Sequence, residues 1–310
     1  MNIIPLAAES LGVRSAAFFI ETADVRVLID PGVSLAPMRF GLPPHPLEVK
    51  AMNESWHVIK EYAARADILI MTHYHFDHFD PTEPLVLNGK VLLMKHPDEN
   101  INAKQRERAR DLIRNFGALP RRVEFVDNNR FDFGGTAIRF SPAVPHGPNA
   151  KGGWVVEVSV QEGESRFLHT SDIQGASLPQ HMQFILSENP VVLYLDGPLT
   201  YRIGRGFSLD DLRASISNIC TMIETTRLRT LIIDHHLLRD PNWKGEIVEV
   251  FERARRAGKK VVTAAGFLGK EDEILEAHRR QLFAWHPDMP EEAIRRSRTF
   301  QLVKELAKHH

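Results

Sequence analysis

Four side chains of types that bind divalent metals lie within six residues, in the stretch Thr72-His73-Tyr74-His75-Phe76-Asp77-His78. Imidazole nitrogens and carboxylate oxygens are common ligands of zinc and related ions in proteins. The spacing of two brings His73 and His75 to the same side of an extended chain, and Asp77 and His78 follow on the next turn. The stretch therefore predicts a metal-binding loop.

The apolar residues Ile68–Met71 come directly before this loop and predict a buried strand. In α/β folds, functional side chains usually follow the C-terminal ends of strands. A buried strand that leads into a short loop dense in metal ligands is therefore the arrangement that a metal site needs.

The composition excludes few folds but restricts the function. The chain has 310 residues, 43% of them hydrophobic, and is long enough to bury a sizeable core. Its 39 basic and 40 acidic residues nearly cancel, so the overall charge does not draw the protein onto nucleic acid or an anionic membrane. Any polyanionic substrate must therefore be held by local groups.

The cysteine content and the apolar runs narrow the metal chemistry and the location. Cys220 is the only cysteine, which excludes an intramolecular disulfide and a thiolate-rich zinc site, so a metal must be held by His and carboxylate. The apolar runs fall far short of the roughly 20 residues of a membrane span. The segment Met1-Asn2-Ile3-Ile4-Pro5 lacks the basic region and cleavage site of a signal peptide. We therefore expect a cytoplasmic protein that does not enter a membrane.

Strand and helix patterns alternate along the chain in two similar halves. Strands are predicted at residues 16–20, 25–29, 68–71, 91–94, 123–126, 137–140, 154–160, 166–169, 191–195, 230–233 and 261–264. Helices are predicted at about 54–66, 102–116, 245–257, 271–282 and 291–307, and another begins near Ser208. This order predicts an α/β (α+β) protein, a four-layer αββα sandwich. We expect one domain, residues 1–310, with a C-terminal helical extension over about 270–310.

The stretch from His73 to His78 resembles the HxHxDH signature of the metallo-β-lactamase superfamily. In that family the first two histidines bind one metal, and the Asp and the last His bind a second. The resemblance thus implies that His73 and His75 bind metal one and that Asp77 and His78 bind metal two. It extends over about residues 2–264 and is closest to a largely archaeal branch, for which it implies the metallo-β-lactamase fold and a metal site but no particular substrate.

The resemblance implies three more ligands further along the chain. His146 matches the isolated histidine that follows a strand, and Asp172 matches the Asp that bridges both metals. Outside this context, such residues more often form turns or cap helices. Of the adjacent His235 and His236, His235 matches the last ligand, because one residue commonly separates that ligand from the preceding apolar run.

Supporting roles follow from the same resemblance. We expect His236 to orient a ligand or to act as a general acid, and Asp77 to contribute to catalysis as well as to metal binding. Arg239 matches a basic residue of the tRNA-processing phosphodiesterases, with a surface ion pair as the alternative. Asp30, which ends a predicted strand, is expected to orient a ligand histidine rather than to bind metal.

Two metals bridged by Asp172 and a solvent oxygen would provide a hydroxide nucleophile near neutral pH. A site rich in histidine, with two carboxylates and no thiolate, suits two zinc ions best, with manganese or iron as alternatives. The diiron oxidoreductases of the superfamily usually carry Glu where this chain has His75. Only about sixty residues separate Asp172 from His235, which disfavours the RNA-cleaving members with an inserted cap domain.

For the substrate we expect a small-molecule or nucleotide-like anion with a phosphodiester, a hypothesis favoured by Arg202, Arg205 and Arg239. For Arg202 and Arg205 the alternative interpretation is solvated loop charge. The segments 41–46 and 196–206 are expected to line the substrate mouth. The basic run of helix 102–116, from Lys104 to Arg114, is expected to be a solvated face.

Two other functions stay open. The same site could hydrolyse a carboxylic ester, a thioester or a lactone. Alternatively, the chain could be a non-catalytic, metal-stabilised protein that binds nucleic acid through its basic helix surfaces, although the full set of expected ligand types argues against this.

Overall fold

Thirteen of the fifteen strands in the computed structural model, which describes residues 1–286, form two mixed sheets. The first half of the chain contains β1 (Asn2–Ala8), β2 (Ala16–Glu21), β3 (Arg26–Ile29), α1 (Pro46–Arg65), β4 (Ile68–Met71), β5 (Val91–Met94), α2 (Ala103–Phe116) and β6 (Arg122–Phe125). These six strands form one sheet in the order β1-β2-β3-β4-β5-β6. The pairs from β3 to β6 are parallel, and β1-β2-β3 are antiparallel.

The second half supplies the other sheet. It contains β7 (Arg130–Phe133), β8 (Thr136–Phe140), β9 (Val144–Pro145), β10 (Trp154–Val155), β11 (Val158–Glu162), β12 (Ser165–His169), α3 (Pro179–Glu188), β13 (Val192–Asp196), α4 (Leu209–Thr225), β14 (Thr230–Asp234), α5 (Trp243–Glu246), α6 (Val248–Arg256), β15 (Lys260–Val262), α7 (Ala264–Phe267) and α8 (Arg279–Trp285). Seven of these strands form a sheet in the order β15-β14-β13-β12-β11-β8-β7, while β9 pairs only with β10.

Alternate residues of the strands face two different apolar layers, as the two-residue period of a strand requires. Phe18 and Ile70 of the first sheet pack with Val158 and Tyr194 of the second in a core between the sheets. The opposite faces of the two sheets pack against the helices that cover them. The predicted four-layer αββα sandwich is therefore confirmed.

The site-bearing loops converge at one edge of the sandwich because the parallel strands of both sheets end there. β3 and β4 are parallel neighbours in the first sheet, as are β12, β13 and β14 in the second. Polar residues follow or end all five strands. They are Asp30, the loop from Thr72 to His78, Asp172, Asp196 and His235.

Helix α1 begins eight residues earlier than predicted. The buried His45 accepts a hydrogen bond from the backbone of Leu47, and Glu48 accepts one from the backbone of His45 in a capping box. Pro46 occupies the first turn, where its missing N–H costs nothing. The predicted start at about residue 54 left Pro46 outside the helix, whereas proline in the first turn favours helix initiation.

Five elements were not predicted: β1, β7, β9, α3 and α7. β1 is an edge strand, where Pro5 is tolerated although it cannot donate a backbone hydrogen bond. The predicted strand 154–160 is interrupted, because Trp154 and Val155 pair with β9 outside the main sheet. Near the predicted helix 271–282, the observed helix begins only at Arg279 and ends at Trp285. The predicted helix 291–307 lies outside the described residues. The single domain with a C-terminal extension thus stays a prediction.

Helix α8 is joined to α1 by a buried ion pair. Arg279 donates to both carboxylate oxygens of Glu48 at 2.8 Å, and both side chains are fully buried. None of the helices in the described part of the chain combines the length and apolar character of a membrane-spanning helix.

A solitary carboxyl group is buried between β10 and β11. Glu157 is 0% exposed, and neither oxygen of its carboxyl group has a hydrogen-bond partner in the described structure. Burial raises the pKa of Glu157 well above its ordinary value. The folded state therefore binds a proton that the unfolded state releases near pH 4 to 5, and stability is lost as the pH rises above that range.

We expect Glu157→Gln to raise the free energy of unfolding at pH 8, and to raise it much less at pH 5. The gain should be roughly 1–3 kcal/mol larger at the higher pH. Each pH unit between the pKa of the unfolded state and that of the folded state changes the free energy of unfolding by about 1.4 kcal/mol. Denaturant unfolding at both pH values measures the difference. Glu271→Gln, at an exposed position, is the matched control and should show no such gain. A gain for Glu157→Gln that does not depend on pH would contradict this account.

Candidate metal centre

The first group of potential ligands consists of His73, His75, His146 and Asp172, whose ligand atoms all lie within 4.8 Å of one another. His73 Nε2 is 3.1 Å from His75 Nδ1 and 3.5 Å from Asp172 Oδ2. His146 Nε2 is 3.1 Å from the same carboxylate oxygen. Three imidazoles thus converge on one side of Asp172.

The second group consists of Asp77, His78, Asp172 and His235. Here the other oxygen of the shared carboxylate is used: Asp172 Oδ1 lies 3.1 Å from His78 Nε2 and 3.3 Å from His235 Nε2. Asp77 Oδ2 lies 3.7 Å from His235 Nε2. The structure therefore brings all seven predicted ligands into two groups, and it places Asp172 between them.

Two residues at or directly before a candidate ligand have unusual backbone conformations. Ser171, directly before Asp172, and His235 both have positive φ, at 55° and 59°. Non-glycine residues rarely adopt this region. The turn at His235 is held because Asp234 Oδ1 accepts hydrogen bonds from the backbone N–H groups of His235 and Ser10, at 2.8 Å and 3.2 Å.

Carboxylates behind the ligands fix the orientation of two imidazole rings. His78 Nδ1 donates to Asp30 Oδ2 at 2.8 Å, and His235 Nδ1 donates to Glu9 Oε2 at 2.7 Å. In both rings Nε2 is then the nitrogen that faces the shared Asp172. Asp30 therefore lies where its predicted role requires, hydrogen-bonded to a candidate ligand histidine. Glu9 was missed, because it follows the unpredicted strand β1; an acidic residue at the end of an apolar run was the available signal.

A third pair involves His236 and Asp196. His236 Nδ1 lies 3.0 Å from each carboxylate oxygen of Asp196, whose Oδ1 also accepts from the His236 backbone at 3.1 Å. The sequence placed Asp196 at the start of a segment expected to line the mouth, without a role of its own. The structure instead places it behind His236, where it orients the ring.

Arg239 is buried and not on the surface. Its Nε donates to Glu9 Oε1 at 2.7 Å, and its guanidinium lies 3.7 Å from Asp77 Oδ2. The alternative of a surface ion pair is therefore wrong. Glu9 carries a hydrogen bond from His235 and an ion pair with Arg239 on its two oxygens.

Burial and charge set the protonation of the two groups in different ways. Burial lowers the pKa of His73 and His75 well below the ordinary value, which leaves neutral imidazoles of the kind that metals bind. Burial also opposes protonation of His78 and His235, but the carboxylates around them outweigh it and raise both pKa values. The negative charge of the second group thus calls for a cation at its centre.

The side chains fit two divalent metal ions. His78 Nε2 and Asp172 Oδ1 are buried and lie 3.1 Å apart, yet neither has a hydrogen-bond partner in the described structure. Such orphaned atoms that face one another are expected where both bind a metal ion. Each group offers at least two imidazoles and a carboxylate, the donor set of a zinc, manganese or iron site.

A cavity of about 300 Å³ opens over the two groups. His75, Asp77, His146, Asp172, His236 and Arg239 belong to its lining, as do Arg14, Ser34, Leu35, Pro37, Phe76, Asn102, Lys104, Arg108, Lys151 and Gly152. No residue of segments 41–46 or 196–206 lines it, so the expectation that they form the mouth is wrong. Arg202 and Arg205 are exposed, and Arg202 donates to the Arg205 backbone at 3.2 Å.

The basic run on α2 is largely exposed, as expected, but two of its residues also line the cavity. Lys104 and Arg108 line the cavity, whereas Arg106 and Arg110 lie 3.6 Å and 2.9 Å from Asp98 at the surface. The helical pattern alone did not distinguish the residues that face the cavity from those that face solvent, because both types are charged and spaced alike.

Comparison with known proteins matches residues 13–204 with the Beta-lactamase superfamily domain. A UPF0282 protein of Korarchaeum cryptofilum is 45% identical over 288 residues, which are 93% of this chain and 96% of that protein. A UPF0282 protein of Metallosphaera sedula is 43% identical over 288 residues, which are 92% and 93% of the two chains.

Two solved structures share the fold at low sequence identity. Unliganded yeast PDE1 has a TM-score of 0.51 at 12% identity, with 84% of this chain and 96% of that chain covered. Zn²⁺-bound PqqB from Methylobacterium extorquens has a TM-score of 0.50 at 11% identity, with 85% and 98% covered. This chain has the metallo-β-lactamase fold with a His/Asp metal-binding site, and it belongs to the UPF0282 family of the metallo-β-lactamase superfamily.

Proposed function

We propose that this chain is a dinuclear-metal-dependent hydrolase that acts on a phosphodiester or nucleotide-like anion. The observation that carries the proposal is the position of Asp172, whose two oxygens face two separate groups of imidazoles at the floor of one cavity. Two metal ions, when bound, supply a nucleophilic hydroxide near neutral pH and polarise the scissile group.

Each ligand group would hold one ion. His73, His75 and His146 would hold the first, and Asp77, His78 and His235 would hold the second, with Asp172 shared between them. The donor types support zinc, and the fold relative PqqB is a Zn²⁺-bound protein. Manganese and iron are the alternative metals for such a site.

The charges of the cavity support an anionic substrate. Apart from the ligands Asp77 and Asp172, every charged side chain in its lining is basic; these are Arg14, Lys104, Arg108, Lys151 and Arg239. A neutral ester or lactone would not need this wall, whereas a phosphodiester carries a negative charge that the wall attracts. The cavity volume of about 300 Å³ suits a small molecule better than a polymer.

His236 and Arg239 are the groups of this chain that we assign to the reaction beside the ligands. Both line the cavity. Asp196 accepts a hydrogen bond from Nδ1 of His236. Nε2 is therefore the nitrogen that can exchange a proton with the leaving group. Arg239 is fixed by Glu9 and lies close to Asp77, where its charge stabilises an anion at the second group.

We expect the purified protein to bind two zinc ions per chain and to hydrolyse bis(p-nitrophenyl) phosphate. His75→Ala and His235→Ala should each lower the zinc content toward one ion, since each removes a ligand from a different group, and both should abolish hydrolysis. Elemental analysis and a chromogenic assay measure the two effects. His57→Ala, which changes an exposed histidine of α1, is the matched control and should keep both properties.

Two results would overturn this assignment. One is a total content of zinc, manganese and iron of one ion or less per wild-type chain. The other is hydrolysis of p-nitrophenyl acetate or a thioester, but not of the phosphodiester, which would transfer the proposal to the carboxylic ester class.

We also expect Glu9→Gln to weaken the second metal selectively. Glutamine keeps the shape of the side chain but removes the charge that supports both His235 and Arg239. Loss of such a supporting carboxylate typically costs 10- to 100-fold in metal affinity. Competition with a chelator should show one zinc ion released at a lower chelator concentration, while the other is unchanged. Equal weakening of both ions, or of neither, would refute the role assigned to Glu9.

A further inference from the structure

Three of the five basic side chains that line the cavity have no carboxylate partner in the part of the chain that the structure describes. Arg14 pairs with Glu276 at 2.6 Å, and Arg239 pairs with Glu9. No carboxylate of residues 1–286 lies within ion-pair distance of the remaining three side chains, which belong to Lys104, Arg108 and Lys151. The positive charge of the cavity that no ion pair balances therefore belongs to these three residues.

Arg108 is held in place by the metal-binding loop itself. Its guanidinium lies over the ring of Phe76, with its carbon 4.2 Å from the ring centre, and one nitrogen donates to the backbone oxygen of Tyr74 at 3.3 Å. A guanidinium has five N–H groups, so most of them are left for a ligand. Burial lowers the pKa of Arg108, and the carboxylates of Asp77 and Glu107 offset this effect only in part.

Lys104 lies one helical turn before Arg108 on the same face of α2. Like charges at this spacing repel one another and destabilise a helix slightly. Lys104 also lies in the first turn, which contains no acidic residue, so its charge opposes the helix dipole. An anion in the cavity would relieve both unfavourable interactions.

Lys151 comes from a separate loop that is joined both to α2 and to the metal centre. Asn102 Nδ2 donates to the Lys151 backbone oxygen at 3.4 Å, and Gln105 Nε2 donates to that of Gly152 at 3.1 Å. Gly152 lies so close to His146 that a Cβ there would be 2.8 Å from the ring nitrogen Nδ1. The loop thus brings Lys151 next to a ligand of the first group.

We infer that Lys104, Arg108 and Lys151 form a subsite for a second phosphate group of the substrate, apart from the phosphodiester that is cleaved. A phosphate monoester carries about −1.5 to −2 charges at pH 7, which matches several cations better than a carboxylate does. Arginine also binds phosphate through two parallel hydrogen bonds. The inference rests on the proposed function for the position of the cleaved group, and it narrows the substrate to a small phosphodiester that bears a further phosphate.

Binding of two nucleotides to the zinc-loaded protein tests the subsite. Thymidine 3′,5′-bisphosphate and thymidine 5′-monophosphate differ only in one phosphate, and calorimetry measures both affinities. We expect the bisphosphate to bind about 10-fold more tightly or better to the wild type. Arg108→Ala should reduce this ratio to near one, and Arg108→Lys should retain part of it. Arg110→Ala is the matched control on the same helix, because Arg110 pairs with Asp98, and it should keep the full ratio.

Equal affinities of the wild type for the two nucleotides would overturn the inference, and so would a preference that survives in the Lys104→Ala, Arg108→Ala double variant. Zinc content and circular dichroism identify any variant that fails to fold, and Lys151→Ala then provides the test from the other loop. Hydrolysis of thymidine 5′-(p-nitrophenyl phosphate) is measured separately. A preference for the bisphosphate without hydrolysis supports the subsite and refutes the hydrolase, and hydrolysis without the preference does the reverse.

Discussion

The carboxylate of Asp172 is the group around which the rest of the site is arranged. Its two oxygens face two groups of imidazoles, at separations of 3.1 Å to 3.5 Å. A buried carboxylate surrounded by four histidines is stable only when the charges and hydrogen-bonding groups are matched. This requirement explains why the strand ends of both sheets must meet at one edge. Asp172 follows β12 in the second sheet, whereas the loop with His73 and His78 follows β4 in the first.

A ring of further carboxylates makes this arrangement possible. Asp30, Glu9 and Asp196 each accept a hydrogen bond from the Nδ1 of one histidine, and each lies at or just after the end of a strand. The three histidine rings are thereby fixed before any metal binds, which lowers the loss of conformational entropy on metal binding. The positive φ of His235 strains the backbone at this ligand. The hydrogen bonds to Asp234 offset that strain and hold the turn.

The sequence predicts the sandwich and the dense part of the site, because their signals are local. Apolar runs mark most strands, and four ligand types within one loop mark the metal site. His146, Asp172 and His235 have no such signal; only the resemblance to a family placed them, and the structure brings them to the loop. Long-range packing of strand ends is what joins these residues, and a single sequence does not encode it in any short pattern.

Other features escaped prediction for separate physical reasons. Glu9 and Asp196 are single acidic residues at strand ends, where a turn former is equally common. The start of α1 depends on a histidine cap, an uncommon residue at that position. Lys104 and Arg108 have the same charge and spacing as the solvent-facing arginines of α2. Helical periodicity defines a face, but only the packed loop around Gly152 determines which face meets the cavity.

The metal ligands and the unpaired cations of the cavity come from different structural elements. Under the proposed function, the groups that carry out the reaction are therefore separate from those that select the substrate. Six of the seven candidate metal ligands follow β4, β12 or β14 of the two sheets, and His146 follows β9. The free cations lie on the N-terminal half of α2 and on the loop of Lys151, which carry side chains into the cavity from outside the sheets. Because the whole chain has a net charge near −1, its overall charge does not attract an anion, whereas the cations that line the cavity attract one locally. Under the proposed function, a substrate with two anionic groups would bind both parts at once.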